Sequence, residues 1–371
     1  MTDPNSLGDA APIFHADREL IEIYGAPIAP FFSDSSITSI MVNRYDQVFI
    51  RRDGKFVLTE ARWRSERELI NFIKQTARNL GQDADENVRP ISDARMPDGS
   101  RINAVMYPVA HRGSNMTIRL FPKVRFTVED LLERGMFSSE MLAFLRAAVA
   151  VQANMLVAGA SGSGKTTVLN ALGNIGPPET RTAVIEDTSE LWINKLNVLY
   201  MEASRRAVVS DDPVTMERLL VNLLRQECDA VMVGECREPK TATALQIALN
   251  TGHRGVLTTI HASSDEKALR RLEFMLLAND SRVPFEAVRE DIRASIDVVI
   301  YAERTPRHGQ RIVHLSEVDE NGQLRRLFEW DYATGAHVRV FSGTPRIAKA
   351  GIKYGIDFEA LVAEAAAAQG A

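Results

Sequence analysis

The sequence predicts an α/β chain in two parts: a smaller α+β domain followed by an open, largely parallel sheet covered by helices and carrying a phosphate-binding loop. Three observations predict it. After about residue 150, short apolar runs alternate with segments long enough for helices. The run Asn154 to Gly159 leads directly into a glycine-rich loop and a helix-like segment. Before residue 123 the chain shows alternating apolar and polar residues punctuated by Asp-Gly pairs, around one amphipathic stretch. A length of 371 residues is enough for about two such domains.

The composition sets the class. Hydrophobic residues make up 45% and charged residues 25%, the balance of an ordinary globular protein with real cores, which excludes disordered and fibrous classes. The formal net charge of −5 offers no global field for a polyanion, so no direct nucleic-acid binding is expected without a local basic patch. Cys228 and Cys236 form neither a C-x-x-C clip nor a disulfide framework, which favours a reducing compartment and hence the cytoplasm. Asp3, Asp9, Asp17 and Glu19 argue against a secretory signal. The most apolar stretch, Met141 to Ala160, is broken by Arg146, Gln152 and Asn154, so no transmembrane segment is expected and any membrane contact goes through partners.

The elements follow in order. Residues 1–16 are polar with small residues and read as a flexible N-terminus, and residues 17–123 as the α+β domain. Within it, Ser36 to Phe56 alternates and closes on Asp53-Gly54, a β-hairpin; Ser65 to Leu80 has helical spacing behind a capping serine; Asp98-Gly99 punctuates the strands Ser100 to Pro108 and Met116 to Phe121. Residues 124–137 read as a linker. Phe126 to Arg134 and Ser138 to Val149 are helical, with Gly135 the break between them. In the second domain, residues 138–345, the strand-like runs are Asn154 to Gly159, Thr182 to Glu186, Asn197 to Glu202, Ala230 to Gly234 and Val256 to Ile260. Residues 346–371 form a tail, with no assigned function.

The strongest chemical signal is Gly159-Ala160-Ser161-Gly162-Ser163-Gly164-Lys165-Thr166, a complete G-x-x-x-x-G-K-[ST] between a strand and a helix that starts near Thr167. Glycines let successive N–H groups turn toward one centre, the helix adds its positive end, and Lys165 supplies a mobile charge for the outer phosphates. Thr166 can ligate Mg²⁺. Cleaving a nucleotide further requires an oriented water and groups facing the developing charge.

Three downstream clusters could supply them. In a parallel sheet the strand C-termini face the ligand crevice, so residues there are candidates. Glu186, ending the run Thr182 to Glu186, is a candidate to orient the attacking water, against the alternative that the acids of Glu186-Asp187-Thr188-Ser189-Glu190 cap the next helix. Glu235, at the exit of Ala230 to Gly234, is placed near Mg²⁺ directly or through water and could polarise the nucleophile, whereas Asp229 at the entry fixes the turn and both cysteines pack. His261 follows the run Val256 to Ile260 and falls on the same rim. With no cysteine or HExxH context, the two imidazoles His253 and His261 do not suggest zinc.

GASGSGKT, IEDTSEL, DAVMVGECR and TGHRGVLTTIHA, in that order and at these separations, resemble the four nucleotide-site boxes of the secretion traffic ATPases, the ring motors of type II and type IV secretion, conjugation and pilus assembly. The similarity runs from about Ser36 to Val318. It implies a RecA-like P-loop ATPase domain, an N-terminal domain on a flexible linker, a homohexamer, the cofactors ATP and Mg²⁺, and a cytoplasmic position peripheral to the inner membrane through partners in the machine. It matches Lys165 and Thr166 to the Walker A positions, Glu186 and Glu190 to the acidic box, Glu235 to the Walker B glutamate, and His253 and His261 to the histidine box. Arg101 and Arg119 lie where the family has arginines that reach the nucleotide phosphates, a role suited to a planar, permanently charged guanidinium; Arg237 is a further candidate. Two cysteines exclude the tetracysteine zinc element of some members, and SITSIMVNRYDQVFIRRDGKF and RFTVEDLLERGMF look like the conjugation, type IV secretion and Tad pilus branch, although Glu227-Cys228-Asp229 replaces that branch's usual Arg-Pro-Asp. The readings to be separated are an ATP-driven export motor, a nucleic-acid motor on the same core, and a ring that binds ATP without hydrolysing it.

Overall fold

The computed structural model describes residues 25–121 apart from 53, 81, 97 and 98; residues 126–203; residues 213–355 apart from 344; and residues 357, 360 and 363. The expected flexible stretch 1–16, Asp53, Asp98 and most of the tail lie outside the described residues. The chain divides into two compact units, residues 1–125 and 126–371.

The first unit holds β1 (Ile37–Arg44), β2 (Gln47–Arg52), β3 (Lys55–Leu58), α1 (Glu66–Asn79), β4 (Ile91–Arg95), β5 (Arg101–Val105) and β6 (Asn115–Arg119). The strands form one antiparallel sheet in the order β3-β2-β1-β6-β5-β4. Alternation decides the faces: Ile40, Val42, Val48, Ile50, Ile102 and Ile118 point inward onto Leu69, Phe72 and Ile73 of α1. Ser65 caps that helix by accepting from Glu68 N–H. The expected single hairpin is a three-stranded meander instead, because the chain already turns at Tyr45-Asp46, with Gly54 turning it again between β2 and β3.

The second unit begins with α2 (Val128–Glu133) and α3 (Ser139–Ala150). Residues 126–137, expected as a linker, are part of this unit: Thr127 and Asp130 close a capping box, and Val128, Leu131, Met136 and Phe137 are buried in its core. Then follow β7 (Met155–Gly159), α4 (Lys165–Gly173), β8 (Thr182–Glu186), β9 (Val198–Glu202), α5 (Met216–Leu223), β10 (Ala230–Val233), α6 (Pro239–Asn250), β11 (Val256–His261), α7 (Asp265–Asn279), α8 (Phe285–Ser295), β12 (Val298–Thr305), β13 (Gly309–Val318), β14 (Leu324–Asp331), β15 (Ala336–Arg339) and α9 (Arg346–Gly351).

The nine-stranded sheet has the order β15-β14-β13-β12-β7-β11-β10-β8-β9. It is parallel from β12 to β9 and antiparallel from β12 to β15. Helices cover both faces, so β7 is apolar throughout: Met155 and Val157 enter one core, Leu156 and Ala158 the other. The start of the supposed tail is structural too. Ile347 of α9 is buried in the first of these cores, and Arg346 pairs with Asp297 at 2.6 Å.

Candidate functional site

Adjacent strands of the second unit end together. β7 leads into the loop 159–166, β8 ends on Glu186, β10 runs into Gly234-Glu235, and β11 ends on His261. These are the carboxyl ends of parallel neighbours, where open α/β sheets bind ligands.

The loop is shaped by its glycines and by what closes on it. A Cβ at Gly159 would stand 2.3 Å from the Ala302 carbonyl oxygen and 2.4 Å from Ser163 Oγ, so only glycine fits there. Gly164, at φ +98°, is the left-handed residue preceding α4. Ser163 is 1% exposed and its hydroxyl has no hydrogen-bond partner among the described residues. Ala160, Ser161 and Gly162 are exposed, while Thr166 and Thr167 are half-buried in the first turn of α4. Gln310 of β13, which sequence reasoning missed, donates from Nε2 to Gly162 O at 2.9 Å.

Lys165 is 7% exposed and donates to Ala160 O at 3.0 Å. Its Nζ also stands 3.4 Å from His261 Nδ1. The other ring nitrogen, Nε2, lies 3.0 Å from Glu235 Oε1, and Arg237 Nη2 donates to Glu235 Oε2 at 2.7 Å. The structure therefore lines up Lys165, His261, Glu235 and Arg237. Burial, and then the Lys165 ammonium, hold the His261 pKa below its ordinary value, with Glu235 acting in the opposite direction. A neutral imidazole that accepts from Lys165 at Nδ1 carries its proton at Nε2, facing the carboxylate. For Glu235, burial works against ionisation, but Arg237, His261 and Lys165 outweigh it and keep the pKa below the usual carboxylate range. Oε1 is buried and, despite the 3.0 Å approach of His261, has no aligned hydrogen-bond donor among the described residues, which leaves acceptor capacity for a cation or its water.

Three strands fix Glu235. Gly234 N–H donates to Ile185 O of β8, Thr259 Oγ1 of β11 donates to Gly234 O at 2.7 Å, and Cys236 N–H donates to Thr259 O at 2.8 Å. Cys236 is fully buried with its thiol pushed up to about 12, so it packs rather than reacts. Cys228 is only half-buried, because it precedes β10 in a loop. Asp229, expected to fix the turn, accepts from Arg181 N–H at 2.9 Å.

Glu186 is placed differently from a group presented to a nucleotide. It is 3% exposed, and its Oε1 accepts from the N–H groups of Glu190 at 2.8 Å and Leu191 at 3.0 Å. Burial pushes its pKa up to about 7 against these two bonds. Its carboxyl thus holds the loop 187–191 together. Asn170 of α4 accepts from Trp192 N–H at 2.7 Å and Asn174 donates to Trp192 O at 3.0 Å, tying the same loop to the phosphate-loop helix. Asp187 and Glu190 on that loop favour the charged form of Arg237. His253 is not brought to the site: it precedes β11, at the opposite end of the strand from His261, and contacts Thr251 Oγ1.

In the first unit, Arg101 and Arg119 are directly opposite each other on β5 and β6. Register extends the row. Arg95 pairs with Arg101, Ser39 with Arg119, and Arg51 with Ser39, so four arginines cross the sheet on the face opposite α1. Single-strand reading could not reveal that alignment, because it depends on the pairing of five strands.

Among the described residues no group of three or more His, Cys, Asp or Glu is arranged to hold a metal, and no helix is long and apolar enough to cross a membrane. A family model described as "Type II/IV secretion system protein" matches residues 24–340. The chain is 31% identical over 321 residues to the probable conjugal transfer protein TrbB of Sinorhizobium fredii, covering 85% of this chain and 94% of that one. It is 30% identical over 339 residues to the type IV secretion system protein VirB11 of Brucella melitensis, covering 84% and 92%. The solved structure of the Legionella pneumophila ATPase DotB shares the fold, with a TM-score of 0.54 at 19% identity over 97% of this chain and 88% of that one.

Proposed function

The chain belongs to the type II/IV secretion system protein family, and from that premise we propose that it is an ATP-hydrolysing hexameric motor serving a type IV secretion, conjugation or Tad-type pilus machine at the cytoplasmic face of the inner membrane. The observation that carries the reading is the Lys165–His261–Glu235 line beside a complete phosphate loop, which joins the group that holds a γ-phosphate to the group that would polarise a water.

In this reading the N–H groups of 160–166 cradle the phosphates, and Lys165 transfers its donors from Ala160 O and His261 to the outer phosphate oxygens. Thr166 and the spare acceptor of Glu235 are the residues suited to hold Mg²⁺, directly or through water; when bound, the ion would neutralise charge on the phosphates. Glu235, ionised at neutral pH, accepts hydrogen bonds from the attacking water. Glu186 acts as a positioning residue, holding the loop that faces Arg237. Arg101 and Arg119 supply guanidinium donors to the phosphate charge when the N-terminal unit closes on a nucleotide. Loss of the γ-phosphate removes those contacts and favours opening, so hydrolysis drives motion of one unit against the other around the ring.

The test is turnover of Mg²⁺-ATP by the purified full chain with its Glu235→Gln variant. The expected result is hydrolysis in the parent, and nucleotide binding without hydrolysis in the variant. No Mg²⁺-dependent hydrolysis, even with partners and lipid, would overturn the reading. Turnover that rises with added single-stranded DNA would instead favour a nucleic-acid motor.

A further inference from the structure

At the amino ends of the parallel strands, away from the phosphate loop, a cavity of about 310 Å³ opens among the starts of β7, β8, β10 and β11 and the C-terminal ends of α3 and α4. Its walls are mostly apolar, with Val149, Ala153, Met155, Leu172, Met232 and Leu257 among them. Two of the polar side chains there are occupied: Thr182 Oγ1 donates to Thr180 O, and Gln152 Nε2 to Asp229 O. The charged member is Lys195. Its Nζ is 3.9 Å from where a Cβ on Gly176 would stand, which sets the ammonium at the cavity wall. Among the described residues no carboxylate lies within ion-pair distance of it and no acceptor bonds it, and burial lowers its pKa.

Lys195 is half-buried, and an ammonium partly withdrawn from water beside apolar walls, with no counter-charge, is one that a bound anion would stabilise. A volume of this size suits a small ligand rather than one or two waters, and apolar walls favour an apolar body. We propose that this cavity is a binding site for a small amphiphilic anion, an aliphatic carboxylate whose chain fills the apolar space and whose head pairs with Lys195. The inference is independent of the motor reading, since no residue of the phosphate loop or its acids lines the cavity. It also gives the site a physical link to the nucleotide end. The wall residues Leu172 and Gly173 close α4, which begins at Lys165, and a Cβ at Gly173 would stand 2.4 Å from Met232 Sδ, so the helix is seated tightly on β10.

The experiment is calorimetric titration of the full chain with decanoate below its micellar concentration, beside decanol as the uncharged counterpart. Saturable binding of one decanoate per chain is expected, with decanol about tenfold weaker and Lys195→Met weakened by a similar factor, as loss of a charge-assisted bond implies. Ala150→Trp, at the exposed helix end lining the mouth, should block binding while keeping the melting profile. Lys195→Arg should retain binding, and decides the point if Lys195→Met fails to fold. The proposal is overturned by non-saturable uptake, by equal affinity for decanol, by undiminished binding in a folded Lys195→Met, or by loss of binding in a folded Lys195→Arg.

Discussion

Lys165 Nζ stands 3.4 Å from Nδ1 of His261, and the far nitrogen of the same ring is 3.0 Å from Glu235. The imidazole is thus flanked by opposite charges, and the two flanks act on its titration in opposite directions. Removing the ammonium with Lys165→Met should raise the His261 pKa, because a neighbouring cation no longer opposes protonation. Removing the carboxylate charge with Glu235→Gln should lower it. Histidine side-chain NMR titration of the three proteins checks this, and two shifts of the same sign would show that the ring is not electrostatically placed between them.

The buried carboxyl of Glu186 makes a prediction about stability. Its folded pKa is about 7 against an ordinary value of 4.5. The folded state therefore keeps a proton that the unfolded state has released, and its contribution is complete below about pH 4.5 and lost as pH rises to about 7. Glu186→Gln cannot titrate, and its amide oxygen can still accept from Glu190 and Leu191. The variant should gain stability relative to the parent between those pH values and hold a constant advantage above them, at most roughly 3 kcal/mol. Urea melts at pH 4.5, 6 and 8 measure it; a gap that does not change with pH would refute the assignment.

These residues also show what a sequence can and cannot disclose. The loop 159–166 is legible because its conformation depends on its own glycines and on the strand and helix beside it. Glu235 and His261 are legible because each follows an apolar run whose end points to one rim. Glu186 is on the same rim, yet its side chain turns back to two N–H groups four and five residues on, a choice decided by loop geometry. Residues 126–137 look like a linker because Gly135 and polar residues break the pattern, whereas burial of Val128, Leu131, Met136 and Phe137 depends on the distant β12 and β13. Strands β13 to β15 escape a single-sequence reading for a related reason: on the antiparallel side of the sheet polar and apolar residues mix without a clean period, whereas β12 opens on an apolar run, Val298 to Ala302, that is as legible as β7. Gln310 lies on that antiparallel side and reaches a loop 148 residues earlier.

The facing pair Arg101 and Arg119 supports a prediction that separates chemistry from folding. Arg119 is exposed at the end of β6, so Arg119→Gln should leave the melting temperature nearly unchanged. If its guanidinium meets the γ-phosphate, kcat should fall by about 10³-fold, the lower range for an arginine that stabilises phosphoryl transfer, with ADP affinity preserved. Steady-state kinetics with an ADP titration provide the check. An equal loss of ADP and ATP affinity would place the arginine on a shared phosphate instead.

The closure over the phosphate loop gives a graded test. Gly159→Ala inserts a methyl group 2.3 Å from a main-chain carbonyl of β12, and neither Ala302 nor Ser163 can withdraw without disturbing a strand or the loop. Overpacking of this kind costs about 1–3 kcal/mol, so the variant should melt lower and bind nucleotide poorly. Gln310→Ala acts on the same loop without filling space. Its single exposed bond to Gly162 O contributes on the order of 1 kcal/mol, and its loss leaves the core intact. Nucleotide affinity should then fall by no more than about tenfold, with an unchanged melting temperature. A Gln310→Ala variant that loses stability as Gly159→Ala does would mean that the hairpin, rather than the glycine, holds the loop in shape.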